Sequence, residues 1–116
     1  MKIIHYSQAS PRQFDAENVK GVTGRVVIGK ADGAENFCMR IFELSEKGYS
    51  PKHSHEWEHE ILIHSGNGEV WQDGKWVSVS PGYAVFIPRN EEHQIRNTGN
   101  EKLVFACVIP SGVPEL

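Results

Sequence analysis

Apolar and polar residues alternate over short stretches along most of this chain, and turn residues separate the stretches. Runs rich in Val, Ile, Phe and Trp are bounded by the chain's 11 glycines and 6 prolines. This rhythm is typical of short strands joined by turns. It predicts strands near Arg25–Lys30, Asn36–Leu44, His59–Ser65, Glu69–Gln72, Lys75–Val79, Ala84–Ile87, Gln94–Asn97 and Leu103–Ile109. Helical periodicity is weak throughout, and its best candidate is the segment Pro11–Val19.

Turn residues between the predicted strands favour an antiparallel arrangement. Asp73-Gly74 suits a two-residue hairpin turn, in which positive φ is needed. Pro81-Gly82 and Thr98-Gly99-Asn100 mark the next two connections. So many short strands in a chain of 116 residues indicate a β-sandwich or a closed barrel. Periodicity alone leaves both architectures open.

Length and composition narrow the classes of function. A chain of 116 residues fits one domain with one core. The net charge is -3 with neutral histidines, and the lack of a basic stretch argues against nucleic-acid binding. No apolar run approaches the ~18–20 residues of a membrane span, and Met1–Tyr6 lacks the apolar region of a signal peptide. Cys38 and Cys107 lie in separate apolar runs, which favours reduced, packed thiols. We therefore expect a cytoplasmic protein that binds neither nucleic acid nor membrane.

The candidate chemistry of the chain is concentrated in its histidines. Three of the six histidines fall in one short window, at His53, His55 and His59. Residues two apart in an extended chain project to the same face, so these imidazoles can point towards one site. Histidine is the commonest metal ligand. An H-x-H pair alone fits two surface histidines equally well, but the third histidine shifts the balance towards a metal site.

Two spaced motifs surround this histidine window. The first runs through Gly48, His53, His55, His59 and Gly66, with four, one, three and six residues between successive members. The second runs through Gly82, Pro88, Asn90, His93 and Asn97, with five, one, two and three residues between successive members. In this order and at this spacing they resemble the two signature motifs of the cupin superfamily.

Three positions depart from the cupin motifs. Gly48 lies one residue closer to His53 than usual, which affects the incoming turn. Asn90 stands where the motif has glycine, and asparagine tolerates positive φ. His59 occupies the usual glutamate position. Glu60 remains an alternative ligand, because the family permits four intervening residues, but the spacing to His55 and Gly66 favours His59.

Two segments, Asn36–Phe42 and His53–Ile61, resemble one particular group within the cupin superfamily. These segments are similar to small, single-domain bacterial cupins of the conserved-barrel type with a four-histidine, manganese-type site. The resemblance implies an all-β jelly-roll barrel (a double-stranded β-helix) over residues 23–116. It also implies a homodimer. The N-terminal arm over residues 1–22 is expected to contact the second copy, because its segment Lys2–Tyr6, with Ile3 and Ile4, can add a strand to an unpaired sheet edge.

The same resemblance implies the residues of the site. The metal ligands would be His53, His55, His59 and His93, and the substrate pocket would include Arg40, Phe42, Phe105 and Cys107. The resemblance favours one Mn²⁺ ion, while imidazole ligands also suit Fe²⁺, Zn²⁺, Ni²⁺, Co²⁺ and Cu²⁺. Residues alone leave Arg40 open between the surface and the cavity. His64 has the opposite parity to His59 and is expected to face outward.

Four neutral imidazoles would leave the charge of a divalent ion uncancelled. Such a site attracts anionic oxygen ligands and polarises them. We therefore expect a metal-dependent oxidoreductase of the dioxygenase type that acts on a small organic molecule, either neutral or anionic, in the barrel pocket. Two alternatives stay open. One is a non-catalytic cupin that binds a small molecule, and the other is a metal-dependent isomerase or lyase of a sugar acid or keto acid.

Overall fold

Nine strands make up the protein, which the computed structural model describes over residues 1–116. The strands are β1 Arg12–Ala16, β2 Val19–Ile28, β3 Phe37–Tyr49, β4 His59–Ser65, β5 Gly68–Gln72, β6 Lys75–Val79, β7 Ala84–Ile87, β8 Gln94–Asn97 and β9 Leu103–Pro110. Two single-turn 3-10 helices span Tyr6–Gln8 and Lys30–Asp32. The all-β prediction is confirmed.

The prediction of a helix at Pro11–Val19 is wrong, because this segment contains strand β1. β1 pairs antiparallel with β2, and Phe14 lies opposite Val22. The segment has few apolar residues with which a helix could pack against the core. In the extended form its backbone groups are hydrogen-bonded to β2. The predicted ends of β4, β6, β7 and β8 are confirmed. β2 and β3 are longer than predicted.

β3 is the strand on which the sheet closes. One of its edges pairs with β2, while the other pairs with β9 over residues 37–44 and then with β8, where Tyr49 lies opposite Arg96. The strand order in the curled sheet is β6-β5-β8-β3-β9-β4-β7. In addition, β2 pairs with β3, and β1 pairs with β2. The curled sheet encloses a core in which Leu44, Ile63 and Leu103 are fully buried. This architecture is a jelly-roll barrel.

Two tight turns use the left-handed backbone conformation that the sequence predicts. Asp73 and Gly74 have φ of 49° and 82° and join β5 to β6. Asn90, which replaces the glycine of the second motif, has φ of 66°. Its backbone N–H donates to the His55 carbonyl over 2.7 Å. The turn before β8 is thus tied directly to the histidine segment.

Asn97 ties together three segments at the end of the second motif. Its buried side-chain amide donates to the carbonyl groups of Leu44, Ser45 and Glu101 over 3.0, 3.1 and 2.8 Å. Its side-chain oxygen accepts from the Gly99 N–H over 2.9 Å. A buried amide with all these partners holds β3, β8 and the turn before β9 in one arrangement.

Asn97→Ala is expected to lower the free energy of unfolding by at least about 2 kcal/mol, because several buried backbone groups lose their partner. Urea unfolding monitored by tryptophan fluorescence measures this change. Asn100→Ala is the matched control, since Asn100 is exposed. Equal unfolding midpoints for the two variants would contradict the expectation.

The N-terminal residues lie against the barrel of their own chain. The Lys2 ammonium donates to the Val27 carbonyl and pairs with Asp32, over 2.9 and 2.8 Å. β2 crosses the predicted boundary between residues 22 and 23, and both Val19 and Val22 belong to the core. The contact of residues 1–22 with a second copy stays a prediction. No helix in the structure is long and apolar enough to cross a membrane.

Candidate metal centre

Backbone pairing brings the two histidine motifs together at one end of the barrel. His53 and His93 form an isolated antiparallel bridge, in which the N–H of each donates to the carbonyl of the other over 3.1 and 2.9 Å. His59 is the first residue of β4 and pairs with Ile87 of β7. His55 lies between them and is held by the Asn90 contact. Histidines up to 40 positions apart in the sequence therefore meet in one place.

The four imidazole rings lie close together. Their ring centroids lie 5.1 Å apart for His53–His55, 4.8 Å for His53–His93, 4.5 Å for His55–His59, 5.1 Å for His55–His93 and 5.0 Å for His59–His93. Ring nitrogens of His53, His55 and His93 lie within 4.8 Å of one another, a grouping that could hold a metal ion. His59 lies outside this grouping, but its Nε2 is 2.8 Å from Nε2 of His55.

Backbone carbonyls orient two of the rings. Nδ1 of His55 lies 3.1 Å from the Trp57 carbonyl oxygen, and Nδ1 of His93 lies 2.9 Å from the Glu91 carbonyl oxygen. Each Nδ1–H donates to its carbonyl, which leaves the lone pair on Nε2. The Trp57 indole also stacks on His55 with a centroid distance of 4.2 Å and an interplanar angle of 9°. Contacts of this kind fix the orientation of histidines that bind metals.

His59 is oriented by side chains instead of backbone. Its Nδ1 lies 3.2 Å from Sγ of Cys107 and 3.2 Å from Nη2 of Arg40. Arg40 also donates from Nη2 to the Cys107 sulfur over 2.9 Å. When Nδ1–H of His59 donates to the sulfur, the Nε2 lone pair faces the other three rings. Cys107 favours this tautomer, which a metal ligand needs. The Arg40 guanidinium can only donate and favours the opposite tautomer, in which Nδ1 accepts.

The four histidines are neutral at neutral pH. Burial, together with the charge of Arg40 and the neighbouring imidazoles, lowers the pKa of His59 to about 3. Burial, with the neighbouring imidazoles, lowers the pKa of His53 to about 4. Burial also lowers the pKa values of His55 and His93. Neutral imidazoles offer their lone pairs to a metal without first losing a proton.

The residues present fit a divalent ion. Two nitrogens that each lie about 2.1 Å from one ion at a right angle are separated by about 3 Å, and the 2.8 Å between the Nε2 atoms of His55 and His59 is close to this value. Two facing imidazole nitrogens at this distance hold either the N–H hydrogen of one ring or a metal ion between them. Imidazole nitrogens with fixed orientations suit first-row divalent metals, and these donors alone do not select one of them.

The histidine cluster opens into a cavity of about 260 Å³ inside the barrel. All four residues expected in a pocket lie on its wall, namely Arg40, Phe42, Phe105 and Cys107. Arg40 is 7% exposed, which settles its position in favour of the cavity. The Phe42 and Phe105 rings contact each other with centroids 5.7 Å apart. Most of the remaining wall is apolar: Phe14, Val19, Val22, Leu44, Pro51, Trp57, Ile61, Ile87, Ile95, Pro114 and Leu116.

Several residues of the cavity wall lie outside the two sequence motifs, so the motifs could not predict them. Phe14 comes from β1, which was predicted as a helix, and Pro114 and Leu116 come from the C-terminal segment. These residues reach the cavity only because distant parts of the chain pair or fold back across the barrel. No local pattern of spacing indicates such contacts.

The alternative candidates lie outside the cavity. Glu60 is exposed, and the pKa of its carboxyl is raised by partial burial and by the nearby Glu58. His64 is exposed, as its parity predicts, and its ring contacts Tyr6. His5 is also exposed and caps the first 3-10 helix. Cys38 and Cys107 are both buried and unpaired with each other, which confirms the prediction of packed thiols.

Comparisons with known proteins agree with this architecture. The Cupin domain family matches residues 40–109. The polyketide cyclase RemF from Streptomyces resistomycificus is 34% identical over 98% of this chain and 82% of its own, with a TM-score of 0.90. A predicted oxalate decarboxylase from Thermotoga maritima is 28% identical over 95% of this chain and 99% of its own, with a TM-score of 0.82.

A shorter likeness links the chain to a curated enzyme. The glucose-6-phosphate isomerase of Thermococcus kodakarensis is 31% identical over 51 residues, which are 44% of this chain and 25% of that enzyme. The match thus spans about a quarter of that relative. The Cupin domain match covers more than half of the chain, and the barrel carries both motifs. The protein therefore belongs to the cupin family.

Proposed function

We propose that the protein is a metal-dependent enzyme that binds one divalent ion through His53, His55, His59 and His93. Its substrate is a small, largely apolar carbonyl compound that enters the barrel cavity. The observation that carries this proposal is the position of four neutral imidazoles at the end of an apolar cavity. Manganese, expected from the family resemblance, and iron are the first ions to test. A bound divalent ion would supply Lewis acidity towards a substrate oxygen.

The chain's own residues would bind and orient the substrate. The paired rings of Phe42 and Phe105 offer a flat apolar surface, and the wall around them excludes water. Arg40 presents N–H donors from the same wall. Apart from the histidines, Arg40, Ser50 and Cys107 are the polar residues on the wall. A sugar with many hydroxyl groups would lose hydration here without enough replacement partners, so the wall favours an apolar or aromatic substrate.

The reaction class that we favour is redox-neutral. The likeness to the cyclase RemF, at 34% identity over nearly the whole chain, supports cyclisation of a substrate with several carbonyl groups. In such a step an enol carbon attacks a carbonyl carbon of the same molecule, and the proton lost by the enol passes to the carbonyl oxygen. Subsequent loss of water gives an unsaturated ring. The cavity wall would fold the flexible substrate into the reactive arrangement.

A second candidate is the dioxygenase expected from the sequence. The observation that favours it is the all-imidazole donor set beside an apolar, aromatic-lined cavity, because these donors suit the redox-active ions of manganese and iron. Substrates of this class would include phenylpropenoids, diketones and catechols. Dioxygen would be the co-substrate and the oxidant.

One experiment separates these candidates. Protein loaded with Mn²⁺, Fe²⁺ or Zn²⁺ is incubated with linear triketones, diketones, phenylpropenoids and catechols, and oxygen uptake and product mass are both measured. A product lighter by one water without oxygen uptake supports the cyclase. A product heavier by two oxygen atoms with oxygen uptake supports the dioxygenase.

The matched controls are His93→Ala, which removes a proposed ligand, and His64→Ala, which removes an exposed histidine. Activity should disappear in the first variant and persist in the second. Saturable binding without turnover by any metal form would overturn both enzymatic candidates in favour of a binding protein.

A further inference from the structure

Arg40 places a buried positive charge in the cavity wall without a carboxylate partner. The residue is 7% exposed. The structure contains four ion pairs, and Arg40 takes part in none of them. A buried charge that no opposite charge compensates is costly to keep in a folded protein. Its presence here therefore calls for a compensating group from outside the chain.

The present partners of the guanidinium are neutral and leave part of it free. Nη1 donates to the Glu115 carbonyl oxygen over 3.2 Å, and Nη2 lies 2.9 Å from Cys107 Sγ and 3.2 Å from His59 Nδ1. Nε is fully buried and has no hydrogen-bond partner at all. Nearly all buried donors in folded proteins are paired, so an unpaired guanidinium N–H beside a cavity points to a missing acceptor.

The surroundings of Arg40 restrict what that acceptor can be. Twenty residues line the cavity, and none of them is Asp or Glu. The guanidinium carbon lies 4.9 Å from the centroid of the Phe42 ring, and Phe42 in turn contacts Phe105. The site thus combines one uncompensated cation with a flat, apolar surface. A ligand that matches both features has a planar anionic group attached to an apolar or aromatic body.

We propose that Arg40 is a carboxylate-binding subsite and that the natural ligand carries a carboxylate on an apolar or aromatic frame. A carboxylate is a stronger acceptor than the Glu115 carbonyl, and it can accept two parallel N–H bonds from one guanidinium. It would supply both the missing acceptor and the missing charge. The proposal rests on the proposed function only for the claim that this ligand is the substrate, because the subsite itself needs no metal.

The test uses metal-free protein and two ligands of the same shape, benzoate and its neutral analogue benzamide. Isothermal titration calorimetry at neutral pH measures both dissociation constants. We expect benzoate to bind at least about tenfold more tightly than benzamide, which is the effect of one charge-assisted hydrogen bond. Arg40→Gln should remove this preference by weakening benzoate binding, with benzamide binding unchanged. Arg89→Gln, at an exposed arginine outside the cavity, should keep it.

Arg40→Lys covers the case in which Arg40→Gln does not fold, since it keeps the charge and should keep a preference for benzoate. The proposal is overturned if the wild-type protein binds benzamide as tightly as benzoate, if it binds neither, or if Arg40→Gln weakens both ligands equally. A clear benzoate preference in a protein that shows no turnover with any metal would overturn the proposed function while supporting the subsite.

Discussion

His59→Ala is expected to weaken the binding of a divalent ion by more than about 100-fold, whereas Glu60→Ala leaves it unchanged. Loss of a group that only supports a metal ligand costs about 10–100-fold, so the loss of a ligand itself should cost more. His59 is buried with its Nε2 at 2.8 Å from Nε2 of His55, while Glu60 is exposed on the opposite face of β4. Titration with Mn²⁺ and metal analysis of untagged protein measure the difference.

The pair of variants decides between the two ligands that the spacing of the first motif allows. Glu60→Ala serves as the matched control, because it lies next to His59 on the same strand and removes a potential ligand atom from the other face. Circular dichroism must show that both variants stay folded. Loss of metal from Glu60→Ala together with full occupancy in His59→Ala would contradict the four-histidine site and restore the glutamate of the usual cupin motif.

Acidification is expected to destabilise the metal-free protein well above the pH at which the folded histidines titrate. The pKa of His59 is about 3 in the folded protein, against about 6.5 in an unfolded chain. The unfolded chain therefore binds more protons below pH ~6.5, so stability is complete above that pH and is lost as the pH falls towards the folded value. At pH ~5 this one histidine removes on the order of 2 kcal/mol, or roughly 8 °C in Tm.

Thermal unfolding of the metal-free protein between about pH 7 and about pH 5 checks this window, which brackets the titration of an unfolded histidine. His64→Gln is the control, because His64 is exposed and its removal should leave the pH dependence unchanged. A Tm that stays constant over this interval would show that the buried histidines keep ordinary pKa values.

The same pKa values determine the pH at which protons compete with a metal ion for the histidines. Histidines with ordinary pKa values would begin to exchange the ion for protons near pH ~6.5. Because burial lowers the pKa values of His53 and His59 to about 4 and about 3, protons compete only at lower pH in the folded state. We therefore expect the metal to stay bound to a lower pH than free imidazole would allow. Metal release already at pH ~6.5 would contradict this.

Local signals in the sequence determined much of the fold. Strands bounded by strong turn residues, such as Lys75–Val79 after Asp73-Gly74, have the ends that were predicted. Hairpins of this kind depend on residues close in sequence, so their pattern is visible without a structure. The motif spacing likewise predicted that the histidines would meet, because His53 and His55 project from one side of an extended segment. The positive φ of Asn90 followed from its place in the second motif.

Tertiary structure decided the features that depend on distant segments. β1 forms a strand because β2 lies beside it, and tertiary pairing overrides the weak local preference of Arg12–Ala16. Arg40 could have ended at the surface, and only the packing of β3 against β9 and the C-terminal segment buries it beside Cys107 and Glu115. The lowered histidine pKa values also come from burial, which no local pattern contains. The sequence thus specified which groups could bind a metal. The closed barrel made the histidines neutral at neutral pH and buried the Arg40 cation beside them.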